Sequence, residues 1–500
     1  MEIEIKAVGS WQSGRIEGFN GLRKADLIQE YRIWGLSKLK EAREDYEREV
    51  ADMAREFGEL HFITLSLYTT FGDLLDALGE FKTAKALRMR IRDQIQRTDG
   101  NNHPYYIQST LNVAKSHVDV GEWIEARLLQ EDVLKHTEKT YGAQSSAVIP
   151  IKSNLASIYK SQGEWKKAEE LEIQVMQSLK STLGNEHPST LTSMANLAST
   201  FRNKGQWKEA KDLEVHVIET FKSVLGQEHP DTLTSIGNLA STYMQQGRWT
   251  KAEELSVQIT ETLKRVLGLE HPYTLTGMNN LAELYRKQGR WNEAEELFVK
   301  VFETKKKLLG QEHPDSLTTM SGIASTFWNQ GRWKESEQLI EQIIESSKRV
   351  LGEEHPHTLI SIANLASTFY NQGMWTEAAE LSAQVMETRK RVLGQDHPDT
   401  LTSISNLASV FLNQGRYTEA KELFVLVIEL FTRVLGQKHP DTLNSMANLA
   451  STFSSIGRWK EAKKLEVQIL ETSKRLLGQE HPDTLKTMSN LASTFLDQGD

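Results

Sequence analysis

The stretch His187-Pro-Ser-Thr-Leu-Thr-Ser-Met-Ala-Asn-Leu-Ala-Ser-Thr-Phe-Arg-Asn-Lys-Gly-Gln-Trp-Lys-Glu-Ala210 decides how the rest of the chain is read. Its apolar residues Leu191, Met194, Leu197, Ala198 and Phe201 recur three and four apart, the spacing of one face of a helix. Pro188 suits the first turn of that helix, where a missing N–H costs nothing. Asn203-Lys204-Gly205-Gln206 breaks it, and Gly205 suits a left-handed C-terminal position. A second helix is predicted from Trp207, carrying Ala210, Leu213, Val217 and Leu225 and ending at Gly226. Small residues at Ala198 and Ala210 predict close helix–helix approach, with Phe201 and Trp207 filling the wedge between units.

The same passage returns along the chain. Nine of the 10 prolines follow a histidine, and from His187 to His481 the His-Pro pairs recur every 42 residues. Two distant units, 187–228 and 439–480, are identical at 29 of 42 positions. Backwards, Ser145, His103 and His61 occupy the same place. Ten units therefore cover 61–480, a half unit with one helix covers 481–500, a degenerate helical cap covers 22–60, and 1–21 is a glycine-containing lead-in. A fixed period of this size predicts an all-α solenoid.

In Leu197-Ala198-x-x-Phe201, Gly205 and Ala210 the chain resembles a tetratricopeptide array. Its period and its Leu-Gly-x-x-His-Pro connector resemble the longer repeat of the kinesin light chain, and more closely the regular arrays of fungal proteins. The resemblance covers roughly 37–500 and implies a right-handed superhelix of helix-turn-helix units. It also implies protein–protein interaction rather than catalysis.

Composition narrows the function classes. The formal charge is −9, which disfavours general nucleic-acid binding. Cysteine is absent, removing disulfides, thiolate metal sites and cysteine nucleophiles. No apolar run is long enough to span a membrane, and the N-terminus lacks a signal-peptide pattern, so a cytoplasmic protein is expected. Ten of 14 histidines sit at the connector, one per unit and without a second ligand beside them, which reads as helix starts rather than a metal site. No Walker sequence, dinucleotide fingerprint or Gly-x-Ser-x-Gly elbow is present. No cofactor and no enzyme activity are expected. The ladder Trp123, Trp165, Trp207, Trp249, Trp291, Trp333, Trp375 and Trp459, with Phe81 and Tyr417 in register, reads as packing.

Two columns read as a binding groove. Asn154, Asn196, Asn238, Asn280, Asn364, Asn406 and Asn448 stand one residue before each Leu-Ala and turn away from the core toward the concave wall. An amide donates and accepts, so it can hold the backbone of an extended peptide of any sequence. In kinesin light chain arrays asparagines at this place hold cargo peptides, and these positions match. The alternative is hydrogen bonding from one asparagine to the next. Six residues further on, Lys160, Arg202, Met244, Arg286, Trp328, Tyr370 and Leu412 form a variable column suited to selecting side chains. Its basic and apolar strips fit a peptide with acidic residues flanking an aromatic or aliphatic anchor. The expected function is an adaptor that binds extended peptide segments. The alternative is the ligand-recognition module of a fungal NLR-like signalling system, its nucleotide switch lying on another chain. The last helix, with Met488, Leu491, Ala492 and Phe495, has no second helix to pack on it in this sequence; the readings are a truncated product, a tolerated frayed end, or self-association by docking to a second chain.

Overall fold

A computed structural model describes residues 36–100, 105–476, 478–479 and 481–498. The expectations for 1–21 and for most of the cap's first segment, together with His103-Pro104 and Gly499-Asp500, lie outside the described residues. Twenty-two helices and no strand occur among the described residues, and they form an all-α, right-handed solenoid. Each unit contributes a first helix, A, and a second, B: Pro188–Asn203 and Trp207–Val224 in one unit, Pro356–Gln372 and Trp375–Val392 in another. The helix Leu36–Phe57 precedes the first full pair, Phe62–Ala77 and Phe81–Asp99.

Histidine starts the A helices by an uncommon device. His187 is extended (φ −67°, ψ 136°), and its Nδ1 accepts the N–H of Ser189 at 3.1 Å. The same ring nitrogen caps the helix at His229, His271, His313, His355, His397, His439 and His481. This is the N-cap role that serine or aspartate fills elsewhere, and it requires Nδ1 unprotonated. Thr190 then ties the helix back to the preceding connector through Gly184 O at 2.9 Å. Threonine or serine repeats that bond at 2.8–2.9 Å through Thr232, Thr274, Ser316, Thr358, Thr400 and Thr442. At the A–B turn Gly205 takes φ +72°, and the N–H of Gln206 closes on Phe201 O at 2.8 Å.

Within a unit Ala198 and Ala210 are both fully buried, so the A and B backbones approach closely. Leu191, Met194, Val217 and Phe221 form the local core. B packs on the next A, and successive A helices also approach one another, as at 272–287 with 314–329 and 398–413 with 440–455. No successive B helices approach comparably, so the A helices line the inner wall and the B helices the outer one.

The wedge between units is filled only in part as expected: Trp249 packs against the cluster of Ala252 with Leu281 and Leu284 of the next unit, but the ladder ring does not do so throughout. Tyr285, Phe327, Phe369, Phe411 and Phe453 join the core clusters, whereas Trp291, Trp333, Trp375 and Tyr417 are 37–42% exposed. At these four positions the ring is on the first residue of helix B and lies beside the turn on the rim of the ribbon. An arginine just before it lies over the wedge aromatic instead, as with Arg290 over Tyr285 at 4.0 Å and Arg416 over Phe411 at 3.8 Å.

After six units the ribbon meets itself. His313 Nε2 lies 3.2 Å from Ala77 O, His355 Nε2 3.3 Å from Asp119 O, His397 Nε2 2.8 Å from Ser161 O and His439 Nε2 3.3 Å from Asn203 O. Since Nδ1 is already an acceptor, Nε2 carries the proton and donates it to the carbonyl. Each carbonyl belongs to the open end of a lower A helix, where no intrahelical partner exists. Trp123 and Trp165 lie against His397 and His439, with ring centroids 5.7 and 5.8 Å apart. Successive turns are thus joined along a seam of His-Pro from above and Gly-x-Trp from below. In the final helix, Pro482–Gln498, Leu485 and Leu496 are 52% and 77% exposed, while Lys463 covers Phe495 at 4.1 Å from its centroid.

Candidate functional site: the inner wall

On each A helix Thr192, Asn196, Ser199 and Asn203 and their equivalents follow one another at helical spacing, facing away from the packed Leu191, Met194 and Ala198. From the unit at His187 to that at His439 these four wall positions carry only one acid, Glu283, and one base, Lys287. Those two stand 4.0 Å apart on one helix. Apart from these two, Gly322 and the exposed Ile360, the wall is amide and hydroxyl in a chain that is 25% charged.

Asn196, Asn238, Asn364 and Asn448 are half-buried, and Asn154, Asn280 and Asn406 are exposed. None of these seven side chains makes a hydrogen bond among the described residues, so the amide-to-amide ladder does not form. Asn112, outside that set, accepts from Gln108 at 2.9 Å on its own helix. Gly322 interrupts the ladder, and a Cβ there would stand 2.6 Å from the Phe298 ring. Phe298 is buried.

The variable column sits in the crevices between units, and every member is half-buried. Lys160 Nζ pairs with Glu172 at 3.0 Å, and Arg202 Nη1 with Glu214 at 3.0 Å, both carboxylates being buried on helix B. Arg202 also donates to Asn238 O at 3.1 Å, bridging to the next unit. Burial pushes the Glu214 carboxyl up, opposed by the Thr242 hydroxyl and by Arg202. Arg286 pairs with Glu283 at 2.6 Å. The expected basic strip is corrected on this point: its cations hold carboxylates of this chain, so acidic peptide residues find no free charge there. Trp328 is likewise not a solvent-facing ring; it is half-buried, its Nε1 3.5 Å from Ser367 O. Tyr370 Oη accepts from Asn413 at 2.6 Å. Met244 and Leu412 pack against core clusters.

Among the described residues no cluster of three or more histidines, aspartates or glutamates is placed to hold a metal. No helix there is long and apolar enough to cross a membrane.

Paired helices in tandem, with A inside and B outside, define a helical-repeat solenoid with a polar concave wall. A tetratricopeptide repeat profile matches residues 147–223, 231–307, 315–390, 360–424 and 399–474. The chain belongs to the tetratricopeptide repeat family. Among solved structures it is similar to the nearly identical TPR-like repeats of a Podospora anserina protein named as a kinesin light chain, at 33% identity. That match covers 40% of this chain and 95% of that one, with a TM-score of 0.35. It is also similar to BtubC (BKLC) of P. vanneervenii, at 19% identity over 46% of this chain and 92% of that one, with a TM-score of 0.40. A Rap protein complexed with competence and sporulation factor is 10% identical, covering 74% of this chain and 99% of that one, with a TM-score of 0.49. No curated protein matches.

Proposed function

We propose that the chain is a non-enzymatic adaptor that holds extended segments of other proteins against its inner wall. The observation that supports this reading is the row Asn154, Asn196, Asn238, Asn280, Asn364, Asn406 and Asn448, whose amides have no hydrogen-bond partner among the described residues. Peptide backbone groups recur along an extended segment, and amides spaced along a superhelix can meet several of them. Each bond contributes about 0.5–1.5 kcal/mol net, so the row gives modest affinity that grows with the number of units engaged. Side-chain selection falls to the crevice column, where Met244, Trp328, Tyr370 and Leu412 offer apolar surface beside the amides. With Lys160, Arg202 and Arg286 paired internally, the segment best suited is uncharged or weakly charged, with an aliphatic or aromatic anchor.

A peptide-library selection against the whole chain tests this, run beside Asn364→Ala/Asn406→Ala/Trp328→Ala. The expected result is enrichment of peptides with a shared apolar anchor, and at least tenfold weaker binding to the variant. Equal binding to a folded variant would remove the inner wall as the site.

A further inference from the structure

The seam between turns uses one set of residues below and another above, and both sets occur a second time with no described residue covering them. Below, the turn glycines Gly121 and Gly163 lie so close to the upper turn that a Cβ would stand 2.4 and 2.2 Å from the Cδ of Pro356 and Pro398. At the equivalent Gly331, Gly373 and Gly415 a Cβ would meet nothing within 4 Å. Beside those glycines Trp333 is 38% exposed, Trp375 42% and Tyr417 37%. The carbonyls of Asn329, Asn371 and Asn413, counterparts of Ala77, Asp119 and Ser161, accept no turn or side-chain hydrogen bond among the described residues. On the opposite rim His187 is exposed and His229 half-buried; Nδ1 of each caps its own helix, and Nε2 has no acceptor among the described residues. One rim therefore offers acceptors, bare glycines and aromatic rings. The other offers N–H donors and proline rings of the kind that already fit them four times over.

We propose that a second copy of this chain seats its His187-Pro188 and His229-Pro230 rim on the Gly-x-Trp rim of the first, extending the intramolecular seam between molecules. The argument is continuity with that seam: the same side chains meet the same backbone in both. The contact is heterologous, one rim against the other, so it leaves a free rim at each end and propagates as a stack rather than closing as a symmetric pair.

Two variants of the full chain test this, each broken on one rim. Trp333→Glu/Trp375→Glu/Tyr417→Glu places charge on the acceptor rim. His187→Asp/His229→Asp keeps an N-cap side chain but replaces the N–H donor with a carboxylate facing a carbonyl. Sedimentation velocity of the wild-type chain is expected to show mass rising with concentration beyond a dimer. Each variant alone is expected to weaken association at least tenfold. An equimolar mixture is expected to recover a 1:1 complex, since each variant retains the rim the other lacks; that recovery also shows both are folded. A wild-type chain that stays monomeric at every concentration would overturn the proposal and leave the aromatic rim to a different protein. Variants that associate as the wild type does, or a mixture that recovers nothing, would overturn it equally.

Discussion

Lowering the pH from 7.5 to 4.5 should open the superhelix while leaving its helices intact. The seam is held by neutral imidazoles, Nδ1 accepting from the local backbone and Nε2–H donating to the turn below, so protonation at Nδ1 removes the cap that fixes the ring. Burial pushes the His355 imidazole down to about 4, helped by His357 and Lys82 and opposed by the Asp119 carbonyl. His397 and His439 are lowered in the same direction, by burial first, against the pull of Asp399 and Asp441. The closed form therefore binds fewer protons than an open form with ordinary histidines. Its advantage is full above about pH 6.5 and is lost as the pH falls toward about 4. For His355 alone the ceiling is about 3 kcal/mol. Asp119 titrates in the same window, being raised to about 6 by burial and by Asp76. The charges acting on it, Asp76, Lys115, Arg88 and Asp73, all belong to the lower turn, so opening the seam leaves that carboxyl among the same neighbours. Small-angle scattering should show the maximum dimension rise across the window at constant far-ultraviolet circular dichroism. In His355→Asn/His397→Asn/His439→Asn, which keeps a capping side chain and does not titrate there, the rise should disappear. A pH-independent dimension in the wild type, or an unchanged transition in the variant, would count against a histidine-held seam.

The units were legible because each signal that builds them is local: apolar spacing, His-Pro at a helix start, glycine at a turn. The groove asparagines were legible for the same reason, since a residue adjacent to Leu197 on a helix must face away from the core that holds Leu197. The ladder ring fills the wedge at Trp249, but at Trp291, Trp333, Trp375 and Tyr417, as the first residue of its helix, it stays beside the turn. Lys160 and Arg202 were misjudged because their partners lie on the other helix of the unit, twelve residues on, whereas Arg286 takes Glu283 on its own helix. A signal was present: Lys160 and Arg202 have Glu172 and Glu214 at that spacing, whereas Trp328 and Leu412 have Ile340 and Phe424. The seam itself has no local signature. Which unit stands above which follows from a small rotation repeated at every interface, and that rotation is set by packing along whole helices.

Replacing Gly163 by alanine should loosen the seam, whereas the same change at Gly415 should not. The two occupy the same place in their units, with φ +69° and +76°. Alanine is strained in this left-handed region by about 1–2 kcal/mol at either site, so that cost cancels in the comparison. What differs is the space beyond. At Gly163 the new methyl would fall 2.2 Å from Cδ and 2.6 Å from Cγ of Pro398, and at Gly415 it meets nothing within 4 Å. A proline ring is bonded to its own backbone and cannot swing aside, so the upper turn must move as a body or the lower turn must distort. Overpacking of this kind costs about 1–3 kcal/mol beyond the common strain. Gly163→Ala should therefore show a larger maximum dimension at neutral pH and a lower denaturation midpoint than Gly415→Ala. Adding Pro398→Ala to Gly163→Ala removes the ring atoms that clash and should restore the compact form. Equal behaviour of the two glycine variants would mean that the turns do not touch in solution. If the dimension does rise, the inner wall becomes reachable from the side as well as from the ends of the superhelix. Peptides captured by the asparagine row should then associate faster with Gly163→Ala than with the wild-type chain, which ties access to the groove to the seam that covers it.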